Sequence, residues 1–138
     1  MAALAIKTTQ SKPIMRLFAA RLFVRDLTSA LEFYSGKLNL TLLAGSEELG
    51  YLVLDAGSIQ LVVEGVSLDA PEEEQELIGR FSGLSFVVTD ISKAVNELAG
   101  RGVLFMHEPE EQSWGGLLAT FIDSAGNELQ LVQYKDAA

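Results

Sequence analysis

The sequence predicts an α+β fold: two tandem βαβββ modules forming an incomplete β-barrel that bears a cleft. Three observations predict it. The chain carries an internal repeat, each copy marks a strand-to-helix junction with aspartate, and each helix is followed by short apolar strands separated by turn residues. Residues 20–31 align without gaps on residues 84–95, so that Asp26 falls on Asp90. Two copies at this spacing argue for paired modules and against a solenoid, which needs three or more repeats.

The first strand of each copy is read from its period-two pattern. Ala20, Leu22 and Val24 alternate with Arg21 and Phe23 in the first, and Leu84, Phe86 and Val88 alternate with Ser85 and Val87 in the second. The apolar set faces the helix, which places Ala19, Arg21 and Phe23, with Gly83, Ser85 and Val87, on the concave side. Asp26 and Asp90 then cap helices, because a carboxylate before the first turn accepts a free backbone N–H and favours the positive end of the helix dipole. Leu27, Ala30, Leu31 and Tyr34 continue the first helix at helical spacing, and Ile91, Ala94, Val95 and Leu98 the second. Gly36 and Gly100 are expected to close them.

After the helices, strands are expected over 40–43, 50–55 and 58–64, then over 103–107, 117–123 and 128–134. Turns fill 45–49, 56–57, 109–116 and 124–127. The ends of the modules match again, residues 54–62 against 122–132, with two extra residues in the second turn. The expected organisation is a tail or arm over 1–14 and one domain over 15–135, comprising module one (15–65), an acidic linker (66–82) and module two (83–135).

Composition limits function. At 138 residues with 49% hydrophobic and 21% charged side chains, the chain can bury an ordinary core. It has no cysteine, which removes disulfides, thiolate metal sites and thiol nucleophiles. Net charge is −9, from 19 acids against 10 bases, which repels a phosphate backbone and excludes nucleic acid as the expected partner. No apolar run approaches the ~20 residues of a membrane helix, and no basic region precedes the short apolar start, so a cytoplasmic location is expected. Gly-x-Ser-x-Gly elbows and phosphate-binding glycine loops are also absent from the sequence.

The repeat, read with Phe23-Val24-Arg25-Asp26-Leu27, Phe33-Tyr34, Phe86-Val87-Val88-Thr89-Asp90-Ile91 and the run from Phe121 through Gly126-Asn127 to Gln133, resembles the vicinal oxygen chelate superfamily of glyoxalase, bleomycin resistance protein and extradiol dioxygenase-like proteins. The resemblance spans about Met15 to Tyr134. It implies a divalent metal on a His seven residues before each aspartate and a Glu on each fourth strand. Those positions hold Ala19, Gly83, Gln60 and Gln130. Alanine and glycine offer no donor, and two neutral amides hold a hard cation weakly. Hence no metal, no cofactor and no catalytic residue is expected.

Eight residues are candidates for ligand contact. Arg21, Phe23, Gln60, Glu64, Gln130 and Tyr134 lie on the concave parity of their strands. Glu64 suits a ligand cation or general-base work, against the plain reading of a strand-end acid reaching solvent, and Arg21 could instead pair with it across the cleft as a structural ion pair. His107, the one histidine, could act near neutral pH, against the plain reading of a surface imidazole among acids. Trp114, beside Gly115-Gly116, could stack on a flat or cationic ligand, against capping its own module. The sequence therefore favours non-enzymatic binding or sequestration of a small organic molecule, cationic or aromatic, by a homodimer. The alternative is a divergent metal-dependent lyase, isomerase or dioxygenase whose ligands have moved to Glu64, His107 or Glu128.

Overall fold

The computed structural model describes residues 12–135. The expected tail or arm lies outside the described residues up to position 11. The chain runs β1 (Ala19–Val24), α1 (Leu27–Leu31) with a π-helical continuation (Glu32–Lys37), β2 (Thr41–Ser46), β3 (Tyr51–Asp55), β4 (Gln60–Gly65) and a short α2 (Glu72–Gln75). It continues through β5 (Phe81–Val87), α3 (Ile91–Gly100), β6 (Leu104–Phe105), β7 (Glu110–Glu111), β8 (Leu117–Ile122) and β9 (Glu128–Gln133). One sheet has the order β1-β4-β3-β2 and the other β5-β9-β8-β6, with β7 paired to β8. In both, the first and last strands of the module pair in parallel and the rest are antiparallel. Among the described residues no pairing joins the sheets, so no closed barrel forms and β1 and β5 are edge strands.

Each sheet turns one face to a shared core. Leu22 and Val24, Leu52 and Leu54, and Leu61 and Val63 are buried from the first sheet, and Ala119, Phe121, Leu129 and Leu131 from the second. Helix α1 joins them. Its π-helical turn, closed by Leu38 N–H to Phe33 C=O at 2.9 Å, lets the consecutive rings Phe33 and Tyr34 both be buried. Phe33 stacks on Phe121 with ring centroids 6.3 Å apart, and Phe121 also meets Phe86 at 6.5 Å and Phe105 at 5.6 Å. Such aromatic pairs each add roughly 0.5–1.5 kcal/mol beyond the area they bury.

A polar knot lies beside this aromatic cluster. The buried Tyr34 hydroxyl donates to Asp123 Oδ2 at 2.6 Å. The other carboxylate oxygen accepts the N–H groups of Ala125 and Asn127, each at 2.8 Å. Asn127 Nδ2 donates to Asp123 Oδ2 at 3.0 Å and to the carbonyl of Phe23 at 2.8 Å, while its Oδ1 accepts Gly79 N–H at 2.8 Å and Arg80 N–H at 3.0 Å. The β8–β9 turn is thereby tied to α1, to β1 and to the segment entering β5. Burial first, and then the Asp123 charge, push the Tyr34 phenol far above its ordinary pKa.

Asp26 caps α1 through Thr28 N–H and Ser29 N–H, and Asp90 caps α3 through Lys93 N–H at 3.1 Å. Ser29, through its hydroxyl and its N–H, holds the Asp26 carboxyl below the ordinary carboxylate range. The glycine caps fall elsewhere than expected. Gly36 lies inside the π-helical segment, and Asn39 (φ 62°) supplies the left-handed residue. Gly100 ends α3, and Gly102 (φ 95°) makes the reversal. A bulge between Leu42 and Ala44 carries β2 through Gly45, where a Cβ would lie 2.2 Å from the Tyr51 carbonyl oxygen. That close approach extends the strand into the expected turn. The expected 103–107 strand is shortened to Leu104–Phe105, with one further backbone bond to β8 from Met106 N–H to the Thr120 carbonyl at 2.8 Å, and the turn after it holds β7. Helix α2 and the start of β5 occupy part of the segment expected to be linker.

Tyr34→Phe removes one donor from a carboxylate that keeps three, and should cost about 1–3 kcal/mol of unfolding free energy. Asn127→Ala strips the acceptor from two backbone amides and a donor from the carboxylate, and should cost more, about 3 kcal/mol or above. Denaturant titration checks both, and equal costs would contradict the knot.

Candidate functional site

The faces turned away from the core carry the candidate residues. In the first module β1 and β4 run parallel, with Ala19 beside Gln60, Arg21 beside Val62 and Phe23 beside Glu64. Because Leu61 and Val63 point to the core, Gln60, Val62 and Glu64 share the open face with Arg21 and Phe23. Strand β3 adds Tyr51, Val53 and Asp55 on the same side. Arg21 Nε donates to Glu64 Oε2, and its guanidinium sits 5.2 Å over the Phe23 ring. The hydrogen bond to Glu64, and then its charge, raise the Arg21 pKa. Solvent screens so exposed a pair, so its main effect is to hold Arg21 in place.

In the second module Leu118, Thr120 and Ile122 of β8 face Val132, Gln130 and Glu128 of β9. His107, just past β6, places Nε2 3.0 Å from Thr120 Oγ1 and Nδ1 2.8 Å from the Glu108 carbonyl oxygen. Gln130 Nε2 lies 3.4 Å from the same threonine oxygen. Thr120 thus brings His107 and Gln130 together. Thr120 was not among the candidates, although a hydroxyl in the run Leu117-Leu118-Ala119-Thr120-Phe121-Ile122, on the parity opposite Phe121, was the available signal.

Trp114 and Tyr134 meet at the far end of this face, with ring centroids 5.5 Å apart and planes 45° to each other. Trp114 lies over Gly116, where a Cβ would fall 2.0 Å from its ring, so only glycine allows the indole to fold down there. Both residues are about half exposed, 49% and 55%. The eight candidates therefore fall into four groups: Arg21, Phe23 and Glu64; His107 and Gln130; Trp114 and Tyr134; and Gln60 beside Ala19 and Asp55. Among the described residues no hydrogen bond joins one group to another. Arg21 and Phe23 line a groove of about 140 Å³ with Leu77, Arg80 and Phe81, whereas Gln60 lines another of about 250 Å³ with Phe18, Leu43 and Asp55.

The second module departs from the repeat at Gly83. Phe81 pairs with Glu128 and Ser85 with Gln130, so β5 spends four residues where β9 spends two. The Ser82 hydroxyl fills the gap, donating to the Glu128 carbonyl at 2.6 Å and accepting from Leu84 N–H at 3.1 Å. Gly83 sits in this bulge with φ 74°, and the register partner of Gln130 is Ser85. The residues at the four metal-type positions do not fit a divalent ion. Ala19 and Gly83 supply no donor atom, Gln60 and Gln130 are neutral, and the Gln130 amide nitrogen is turned to Thr120. Among the described residues no three His, Asp or Glu side chains converge as a metal would need, and no helix is long and apolar enough to cross a membrane.

The family model of the Glyoxalase/Bleomycin resistance protein/Dioxygenase superfamily matches residues 16–131. The uncharacterized protein YurT of Bacillus subtilis (strain 168) is 32% identical over 137 residues, covering 86% of this chain and 99% of YurT. A member of the same superfamily from Sphaerobacter thermophilus DSM 20745 superposes with a TM-score of 0.74 at 26% identity, over 87% of this chain and 98% of that one. TnmS3, an antibiotic binding protein from Streptomyces sp. CB03234, gives 0.70 at 24% identity, over 90% and 99%. Lactoylglutathione lyase from Agrobacterium tumefaciens gives 0.69 at 17% identity, over 90% and 97%. The last two likenesses are of fold alone, and one fold hosting a binding protein and a lyase leaves function to the site.

Gly83→Ala should lose about 1–2 kcal/mol, the cost of a left-handed backbone for a residue with a Cβ. Ser85→Ala, on regular exposed strand, should stay within about 0.5 kcal/mol of the parent. Denaturant midpoints compare them, and a fully stable Gly83→Ala variant would remove the bulge.

Proposed function

Because the chain belongs to the Glyoxalase/Bleomycin resistance protein/Dioxygenase superfamily, we propose that it binds or sequesters a small organic molecule without catalysing a reaction and without a metal. The observation that carries this reading is the chemistry of the open faces. The positions suited to metal ligands hold two amides and two residues without donors, while the same open faces carry exposed rings and hydrogen-bonding groups in separate clusters. Faces so furnished give a ligand ring surface to stack on and a few fixed polar groups to orient it. Trp114 and Tyr134 favour a flat ligand, and the chain's net charge of −9 draws a cation towards it.

The same proposal includes a homodimer whose clefts take residues from both chains. Its support is the separation of the candidate groups within one chain and the apolar surface along the edge strands. Phe81 and Val87 of β5, and Leu17 and Phe18 before β1, are exposed. An unpaired apolar edge is safer covered, and a two-fold copy is the commonest cover. Cytoplasmic residence, with neither nucleic acid nor membrane as partner, completes the reading. The competing reading, a divergent metal-dependent lyase, isomerase or dioxygenase, draws on one observation: the His107 imidazole lies on the open face beside Thr120.

A thermal-shift screen of flat organic cations and neutral aromatics tests the binding, with metal analysis of the purified protein alongside. A saturating ligand should raise Tm, by roughly 2.7 kcal/mol of added stability at a hundred times its Kd. Trp114→Ala should weaken that ligand about tenfold, the loss of one stacking contact. A stoichiometric transition metal would overturn the metal-free reading. Light scattering should give a dimer at micromolar concentration, and a clean monomer would defeat the shared cleft.

A further inference from the structure

We infer that His107, Thr120 and Gln130 form a one-way hydrogen-bond relay that makes Gln130 the specificity-determining residue of the proposed site, selecting ligands that donate a hydrogen bond over those that accept one. This rests on the binding reading above and adds the polarity of the group that is read.

The direction of the relay follows from which atoms can donate. His107 Nδ1 is 2.8 Å from the Glu108 carbonyl oxygen, which only accepts, so Nδ1 carries the proton. In the neutral ring Nε2 is then a bare acceptor, 3.0 Å from Thr120 Oγ1. The threonine has one hydroxyl proton and gives it to Nε2. Its oxygen is left to accept, and the group offered to it is Gln130 Nε2 at 3.4 Å. Thr120 is only 7% exposed, so a hydroxyl there depends on these two partners and not on solvent. With the ring neutral, each link follows from the one before it, beginning from a backbone carbonyl that can only accept.

The consequence falls on the half-buried Gln130 amide. A free glutamine can flip and offer either its oxygen or its nitrogen. Here the nitrogen is held by Thr120, and among the described residues no protein donor reaches Oε1. The ligand therefore meets a carbonyl oxygen free to accept from an ammonium, amidinium, amide N–H or hydroxyl, while one of the two amide protons is taken by Thr120 and only the other remains for a carboxylate. Glu128, on the same face of β9, reinforces that preference by its charge.

Benzamidinium and benzoate share a flat outline and carry opposite hydrogen-bonding groups, so they are suitable probes. Their affinities would be followed by NMR on the Gln130 side-chain amide and the Trp114 indole N–H, in the parent and in Thr120→Val. The valine keeps the shape and the net charge while releasing Gln130 to flip. The parent should prefer benzamidinium at Gln130 by about tenfold or more, the discrimination one hydrogen bond supplies. The preference should shrink at least threefold in Thr120→Val, with the Nδ1–H tautomer seen at His107 in the parent. An unchanged preference in the variant, or an Nε2–H tautomer in the parent, would overturn the relay. If the probes move the Trp114 signal and leave Gln130 untouched, the relay fails and the binding reading stands. If they move neither, both fall.

Discussion

Asp123 is a carboxylate that this fold keeps almost wholly from water, at 5% exposure, and its position is tolerable only because four donors surround it. A buried charge with too few partners costs several kcal/mol. Satisfying Asp123 fixes Tyr34 in the first module and the Ser124–Asn127 turn in the second. Asn127 then reaches the β1 carbonyl and the amides entering β5. One acidic side chain thus sets how the two modules sit against each other, and the aromatic cluster around Phe121 fills the space left between them.

That arrangement decides what can act as a site. With the inner faces committed to the core, the polar and aromatic groups of the outer faces remain available. The groups there are small and local: an ion pair over a phenyl ring, a hydroxyl joining an imidazole to an amide, and two tilted rings above a glycine. None concentrates negative charge as a divalent cation requires. All offer shape and hydrogen-bond direction, which suit recognition of an organic molecule. The reading of function rests on this contrast between the donors present and those the shared fold can carry elsewhere.

Strand parity was legible in the sequence because a period of two leaves little freedom: with Leu22 and Val24 inside, Arg21 and Phe23 must face out. The aspartate caps were legible for a similar local reason. The glycine caps were not, since the π-helical turn moves the end of α1 past Gly36 to Asn39, and its cause is tertiary: two adjacent rings both buried. The bulge at Gly83 escaped an ungapped alignment because Ser82 replaces lost backbone pairing with its hydroxyl. The partnership of Tyr34 with Asp123 spans 89 positions and has no periodic signature. The same holds for the meeting of His107 and Gln130 at Thr120, which depends on how the chain leaves β6.

The central claim is that the Asp123–Asn127 knot, and not the linker's own structure, holds the modules in register. Amide hydrogen exchange at Gly79 and Arg80 tests it most directly, since both amides lie outside any strand or helix and, among the described residues, bond only to the Asn127 side chain. They should exchange as slowly as the paired amides of β8 and β9, with the Tyr34 hydroxyl proton persisting beside them. Exchange of Gly79 and Arg80 at the rate of an open surface loop, while the strands stay protected, would contradict it.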